Sequence, residues 1–144
     1  MENIASTSSE KITVETAVAV PVEKAWRVWT SPEHITKWNF ASDDWQSPTA
    51  TNDLRVGGGF TYRMEAKDGS VGFDFSGTYE AVKENELITY TMTDGRKVEI
   101  KFIEEGSNTR VVETFDAENS HSIELQRGGW QAILDNYKKE AESA

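Results

Sequence analysis

The sequence predicts an α+β protein: a curved antiparallel sheet of about six to seven strands, packed on a long C-terminal helix. Three observations lead there. Short runs of alternating apolar and polar residues recur between tight-turn signals from Lys11 to Phe115. From roughly Ser120 to Ala144 the period changes to 3.6, with Ile123, Gln126, Trp130, Ile133, Leu134, Tyr137 and Ala141 on one face. Between the first alternating run and the rest stand two helix-start signals in succession.

Residues 1–10 are polar and rich in Ser and Thr, and are expected to fray as a disordered tail. The single domain then covers 11–144. Ile12, Val14, Thr16, Val18 and Val20 can share one face of a first strand. Pro21 ends it and opens a helix, with Glu23 at the positive helix end and Val22, Ala25, Trp26 and Trp29 as its apolar face. Ser31, Pro32 and Glu33 supply an N-cap, a first-turn proline and a first-turn acid for a second short helix to about Lys37.

Residues 38–53 lack a clean period and are expected as a loop, unusually rich in aromatics with Trp38, Phe40 and Trp45. Gly57-Gly58-Gly59 then precedes a strand with Phe60, Tyr62 and Met64 on one side. Asp68-Gly69 turns into Val71, Phe73, Phe75, Gly77 and Tyr79. Glu84-Asn85, Asp94-Gly95 and 105–108 punctuate three more strands: Leu87 to Met92, one through Val98, Ile100 and Phe102, and Thr109 to Phe115. Such short connections require antiparallel neighbours. Only the last helix is large enough to cover the sheet's apolar face. Its oddity is Gly128-Gly129, a pair that weakens a helix interior by ~1 kcal/mol per residue. Either another backbone passes close by or the helix faces a space that stays open.

Composition removes several function classes. The chain has 144 residues, no Cys and a formal net charge of -10. Without Cys there is no disulfide, thiolate nucleophile or Cys-ligated metal, which fits a reducing cytoplasm. The negative charge opposes binding to nucleic acid or anionic membranes. No apolar run is long enough to insert in a membrane, and the first residues lack a secretory signal pattern. The glycine run lacks the Lys-Ser/Thr of a phosphate loop and leads into a strand. No Gly-x-Ser-x-Gly elbow occurs. Two histidines, His34 and His121, would need carboxylates to complete a metal site, and no metal is assigned.

Four stretches together carry a family resemblance: 20–26 (Val-Pro-Val-Glu-Lys-Ala-Trp) with Trp29-Thr30, Pro32-Glu33-His34-Ile35 leading to Trp38, Arg55-Val56-Gly57-Gly58 with Phe60, and Gly129-Trp130 with Ile133-Leu134. With this element order, the chain resembles the START-like (SRPBCC, Bet v 1-like) helix-grip superfamily from Lys11 to Ala141. Within it the chain is similar to the bacterial branch named after the C-terminal domain of the heat-shock-protein-90 ATPase activator. The resemblance implies a cavity between sheet and helix that takes apolar ligands. It implies no shared catalytic residues and no cofactor, and none is assigned.

Ligand contacts are expected from Trp38, Phe40, Trp45, Phe60, Tyr62, Phe73, Phe75, Tyr90 and Trp130, with Gln126 or Tyr90 orienting by a hydrogen bond. Gly128-Gly129 would leave room on the helix side. The leading expectation is a non-catalytic binding module for a small apolar or aromatic molecule. A polyketide cyclase or aromatase-like enzyme is the alternative, and it needs an acid or base facing inward. A protein-interaction role would need an exposed patch of Trp38, Phe40 and Trp45. Arg63, Glu65, Asp74 and Glu113 alternate with apolar neighbours, which puts most of them on the solvent face; Glu113 is ambiguous beside Val111-Val112.

Overall fold

The computed structural model describes residues 10–144, so the expected tail lies outside the described residues except for Glu10, whose carbonyl accepts from the Ala117 amide. Alternation buries Ile12, Val14 and Val18 in β1 (Lys11–Val18). The strand ends before Val20, which is buried beyond a bend. Pro21 N-caps α1 (Val22–Thr30), its carbonyl accepting from the amides of Lys24 and Ala25. Ser31 is extended, so it ends α1 and starts α2 (Pro32–Trp38). Pro32 sits in the first turn, where its missing N–H leaves no bond unmade.

The expected loop over 38–53 holds two short strands, β2 (Trp45–Gln46) and β3 (Ala50–Asn52). Five long strands follow: β4 (Gly59–Ala66), β5 (Gly72–Lys83), β6 (Leu87–Met92), β7 (Lys97–Glu105) and β8 (Asn108–Asp116). Their turns use positive φ at Gly69, Asn85, Gly95 and Gly106, the positions where the sequence signals them. Val71 falls in the first of these turns and is exposed rather than joining β5.

All pairings are antiparallel, in the order β1-β8-β7-β6-β5-β4-β2, with β3 also on β4. The sheet is thus seven strands wide and curls around α3 (Ile123–Ser143). Ser122 caps α3, its hydroxyl accepting from the Leu125 amide, so the helix begins later than the period alone suggests. Gln131 and Lys138 donate to the carbonyls of Glu15 and Ala17 and lay α3 along β1. Leu134, Tyr137 and Ala141 bury its second half, where the Tyr137 hydroxyl donates to the Ala25 carbonyl at 2.6 Å. Gly77 stands opposite Phe60 across β4 and β5, and a Cβ there would lie 2.7 Å from the Phe60 ring. Glycine lets the ring lie over the strand at that point. Among the described residues, no helix is long and apolar enough to cross a membrane.

Candidate functional site

α3 and the sheet face each other across a gap lined in part by Trp130 and Ile133. Between them lies a cavity of about 240 Å³. Trp130 and Ile133 of α3, Trp29 of α1, and Trp38 with its successor Asn39 close one side. Tyr62 and Met64 of β4, Phe73, Phe75 and Tyr79 of β5, and Ile88, Tyr90 and Met92 of β6 form the other. Arg96 and Glu113 complete the wall. Trp130 is held flat against Phe115, with ring centroids 3.8 Å apart and planes 11° apart. The Trp38 indole donates to the Val28 carbonyl at 3.0 Å, fixing its ring.

The polar groups in this wall fall into two sets. The Tyr79 hydroxyl donates to Asn52 at 2.6 Å, and Asn52 in turn donates to the Thr30 carbonyl at 2.8 Å, with the Tyr62 phenol close beside Tyr79. Burial raises the Tyr62 and Tyr90 phenols well above their ordinary value, and Tyr79 to about 12, so all three stay protonated. The Arg96 guanidinium is engaged by Asp94 at 2.8 Å.

The second set has no hydrogen-bond or ion-pair partner among the described residues. Asn39 Nδ2 is sealed in the wall without an acceptor among the described residues. Glu113 is only 6% exposed, with no hydrogen bond or ion pair among the described residues. Its neighbours in register are Val14 on β1 and Ile100 on β7, both buried and apolar. Burial alone pushes its carboxyl up to about 8.

The structure resolves the ambiguity at Glu113 by placing it on the inner face. Arg63, Glu65 and Asp74 do lie on the outer face, where they pair with one another. In β8, by contrast, Thr109, Val111, Glu113 and Phe115 form the buried row, and Arg110, Val112 and Thr114 the outer one. The signal was present: Val111 and Phe115 stand two residues either side of Glu113, on its own face.

Of the expected contact residues, Trp38, Tyr62, Phe73, Phe75, Tyr90 and Trp130 line the cavity. Phe60 does not; it is buried among Tyr62, Phe75, Tyr79 and Tyr90 and supports them from behind. Trp45 packs against Phe73 outside the lining, with centroids 6.1 Å apart. Phe40 is also outside it, its carbonyl tied to Asn136. Gln126 is spent on the turn before α3, accepting from the Glu118 amide and donating to the carbonyls of Glu118 and His121. Among the polar and aromatic lining residues, sequence reasoning missed Trp29, Asn39, Tyr79, Arg96 and Glu113. Trp38 is buried and Phe40 and Trp45 half-buried, so the exposed patch an interaction role would need does not form.

Gly128 and Gly129 face open space, with nothing within 4 Å of an added Cβ, but neither lines the cavity. His34 and His121 each pair with a carboxylate, Glu140 at 2.8 Å and Glu118 at 3.0 Å, and neither lines the cavity.

Solved structures share this architecture. An AHSA1-like protein from Aeromonas hydrophila, determined in solution, is 45% identical with a TM-score of 0.88, covering 93% of each chain. A protein from Cytophaga hutchinsonii is 53% identical with a TM-score of 0.81 and 92% coverage of each. One from Nitrosomonas europaea, 21% identical over 92% of this chain and 94% of its own, shows the same fold at a TM-score of 0.79. No curated protein matches significantly. With its cavity closed by Trp130 and Ile133 of the last helix, and residues 19–142 matching the family described as Activator of Hsp90 ATPase homolog 1-like protein, the chain belongs to that family.

Proposed function

We propose that residues 11–144 act as one binding domain for a small aromatic or apolar molecule, held between the sheet and α3. The observation that carries this reading is the cavity of about 240 Å³, walled by aromatic rings that their own hydrogen bonds and stacking hold in place. Left as a dry void, a space of about 240 Å³ would destabilise the fold by roughly 6 kcal/mol at ~24 cal/mol per Å³. That is a large part of a domain's stability of ~5–15 kcal/mol, so the space is filled by water or by a ligand rather than left dry.

Native mass spectrometry of the purified protein, followed by titration with aromatic fragments under ¹H–¹⁵N observation, tests it. The indole signals of Trp29, Trp38 and Trp130 should shift together. Shifts confined to residues outside the cavity would sink the reading.

A second reading is favoured by Glu113. A buried acid ionising near neutrality is what general acid–base chemistry asks for, so a cyclase-like reaction is compatible with this wall. A bound molecule recovered chemically unchanged after prolonged incubation excludes it.

A further inference from the structure

We propose that the cavity selects an organic cation, a molecule with an aromatic or apolar body and one protonated amine, whose ammonium pairs with Glu113. This rests on the binding reading above and names the chemistry the site would recognise.

The starting point is a carboxyl group that the protein leaves unanswered. Buried acids are normally paired or hydrogen-bonded, because isolating one from water is strongly unfavourable. Glu113 is 6% exposed and lines the cavity without a protein partner among the described residues.

On β1 and β7, which flank Glu113, the residues opposite it are the buried, apolar Val14 and Ile100, and the titratable and charged groups of the cavity wall are accounted for. On β5 the Tyr79 hydroxyl is engaged by Asn52, and on β4 Tyr62 lies beside Tyr79 as a neutral phenol. On β6, Tyr90 is raised in part by the nearby Glu113 charge, a repulsive relation and not a pairing. After β6, Arg96 is the one cation in the wall among the described residues, and its charge is matched by Asp94. From α1, α2 and α3 the wall receives only Trp29, Trp38, Asn39, Trp130 and Ile133. Among the described residues no cation is left for Glu113, so a positive partner for its carboxylate would come with the ligand.

The remaining wall suits a cation as well. Ring faces of Trp and Tyr carry negative electrostatic potential and attract ammonium groups within about 6 Å. Trp29, Trp38, Trp130 and Tyr90 supply four such rings to the wall that also holds Glu113. The formal net charge of -10 raises the local concentration of cations and lowers that of anions. An anionic ligand would hold the Glu113 carboxyl in its protonated form and gain no ion pair there. A neutral carbonyl compound could accept the carboxyl proton, and this is the rival that the experiment separates.

Cation binding also has a proton signature. With its carboxyl raised to about 8 by burial, Glu113 holds its proton at neutral pH. An ammonium bound beside it stabilises the carboxylate, so the complex releases that proton.

The experiment is calorimetric titration near pH 7 with three probes of one shape: naphthylethylamine, naphthylethanol and naphthylacetate. Each is run in two buffers of different ionisation enthalpy, on the wild type and on Glu113→Gln. The amine should bind at least about tenfold tighter than the alcohol, a factor typical of one charge-assisted bond. It should release close to one proton, and its advantage should vanish in Glu113→Gln. If the alcohol or the acetate equals the amine on the wild type, or the amine binds without proton release, the cation proposal fails and the binding reading stands. If the amine's advantage survives in a folded Glu113→Gln, the assignment to Glu113 fails. Heats absent for all three probes overturn both. The wild-type comparison decides the matter even if the substitution unfolds the protein.

Discussion

Replacing Glu113 should make the protein more stable as the pH rises, and the size of the effect follows from its surroundings. In the unfolded chain Glu113 ionises near its ordinary 4.5, whereas burial among Val14, Ile100 and the cavity rings holds the proton until about 8. Between those values the folded state binds more protons than the unfolded one, so wild-type stability falls with rising pH. None is lost below about 4.5, and the loss levels off above about 8. At about 1.4 kcal/mol per pH step, the full loss is roughly 5 kcal/mol and the part reached by pH 7 roughly 3. Glu113→Gln keeps the shape and removes the titration. The assay is urea unfolding of both proteins at several values from pH 5 to pH 8. Taking the difference cancels every other titrating group. The variant's advantage should grow by roughly 3 kcal/mol across that range, a relative midpoint shift of more than about 1 M urea. A difference that stays constant from pH 5 to pH 8 would refute the placement of an unpaired carboxyl in the cavity.

Three further substitutions test the packing. Trp130→Ala removes the ring stacked on Phe115 and enlarges the cavity, and should destabilise by about 2–4 kcal/mol in urea unfolding while abolishing binding of a naphthyl probe. Gly77→Ala would put a methyl 2.7 Å from the Phe60 ring and 3.0 Å from the Thr91 carbonyl; a loss of about 1–3 kcal/mol is expected, and no loss would mean that Phe60 is not where it is placed. Gly128→Ala meets nothing within 4 Å and should raise stability by about 0.5–1 kcal/mol without changing probe affinity. A lower thermal midpoint for that variant would reveal a contact the fold does not contain.

Turn chemistry made most of the fold legible. Asp68-Gly69, Glu84-Asn85 and Asp94-Gly95 mark hairpins with the positive φ they need, and the residues between them alternate strictly enough to set each strand's inner face. β2 and β3 escaped because runs of two and three residues are too short for any period to register. The aromatic content of the site was legible by type and only partly by place. Phe60 and Phe75 look alike in sequence, yet the glycine opposite Phe60 draws that ring into the core behind the wall. Gln126 lies on the correct helical face but is captured by the turn at 118–122, through bonds that depend on where α3 starts. His34 finds Glu140 across 106 positions of chain, a pairing that no local pattern encodes. The ambiguity at Glu113 came from reading Val111-Val112 alone; two residues further, Phe115 shows which face is inside.

The pairing of the first strand with the last has a consequence for synthesis. Lys11 meets Asp116 across 105 positions, so β1 stays without its neighbour until β8 has emerged from the ribosome. At ~5–20 residues per second that wait is roughly 5–20 s. Closing so long a loop opposes the pairing by about 4 kcal/mol, which the local hairpins from β4 to β8 do not face. Those hairpins are therefore placed to form first, with β1 and α3 docking afterwards as the two halves of one closing step. Until then Ile12, Val14 and Val18 on one side, and Trp130 and Tyr137 on the other, remain wet. Translation speed and chaperone access over that interval thus bear on the yield of this protein more directly than on its final stability.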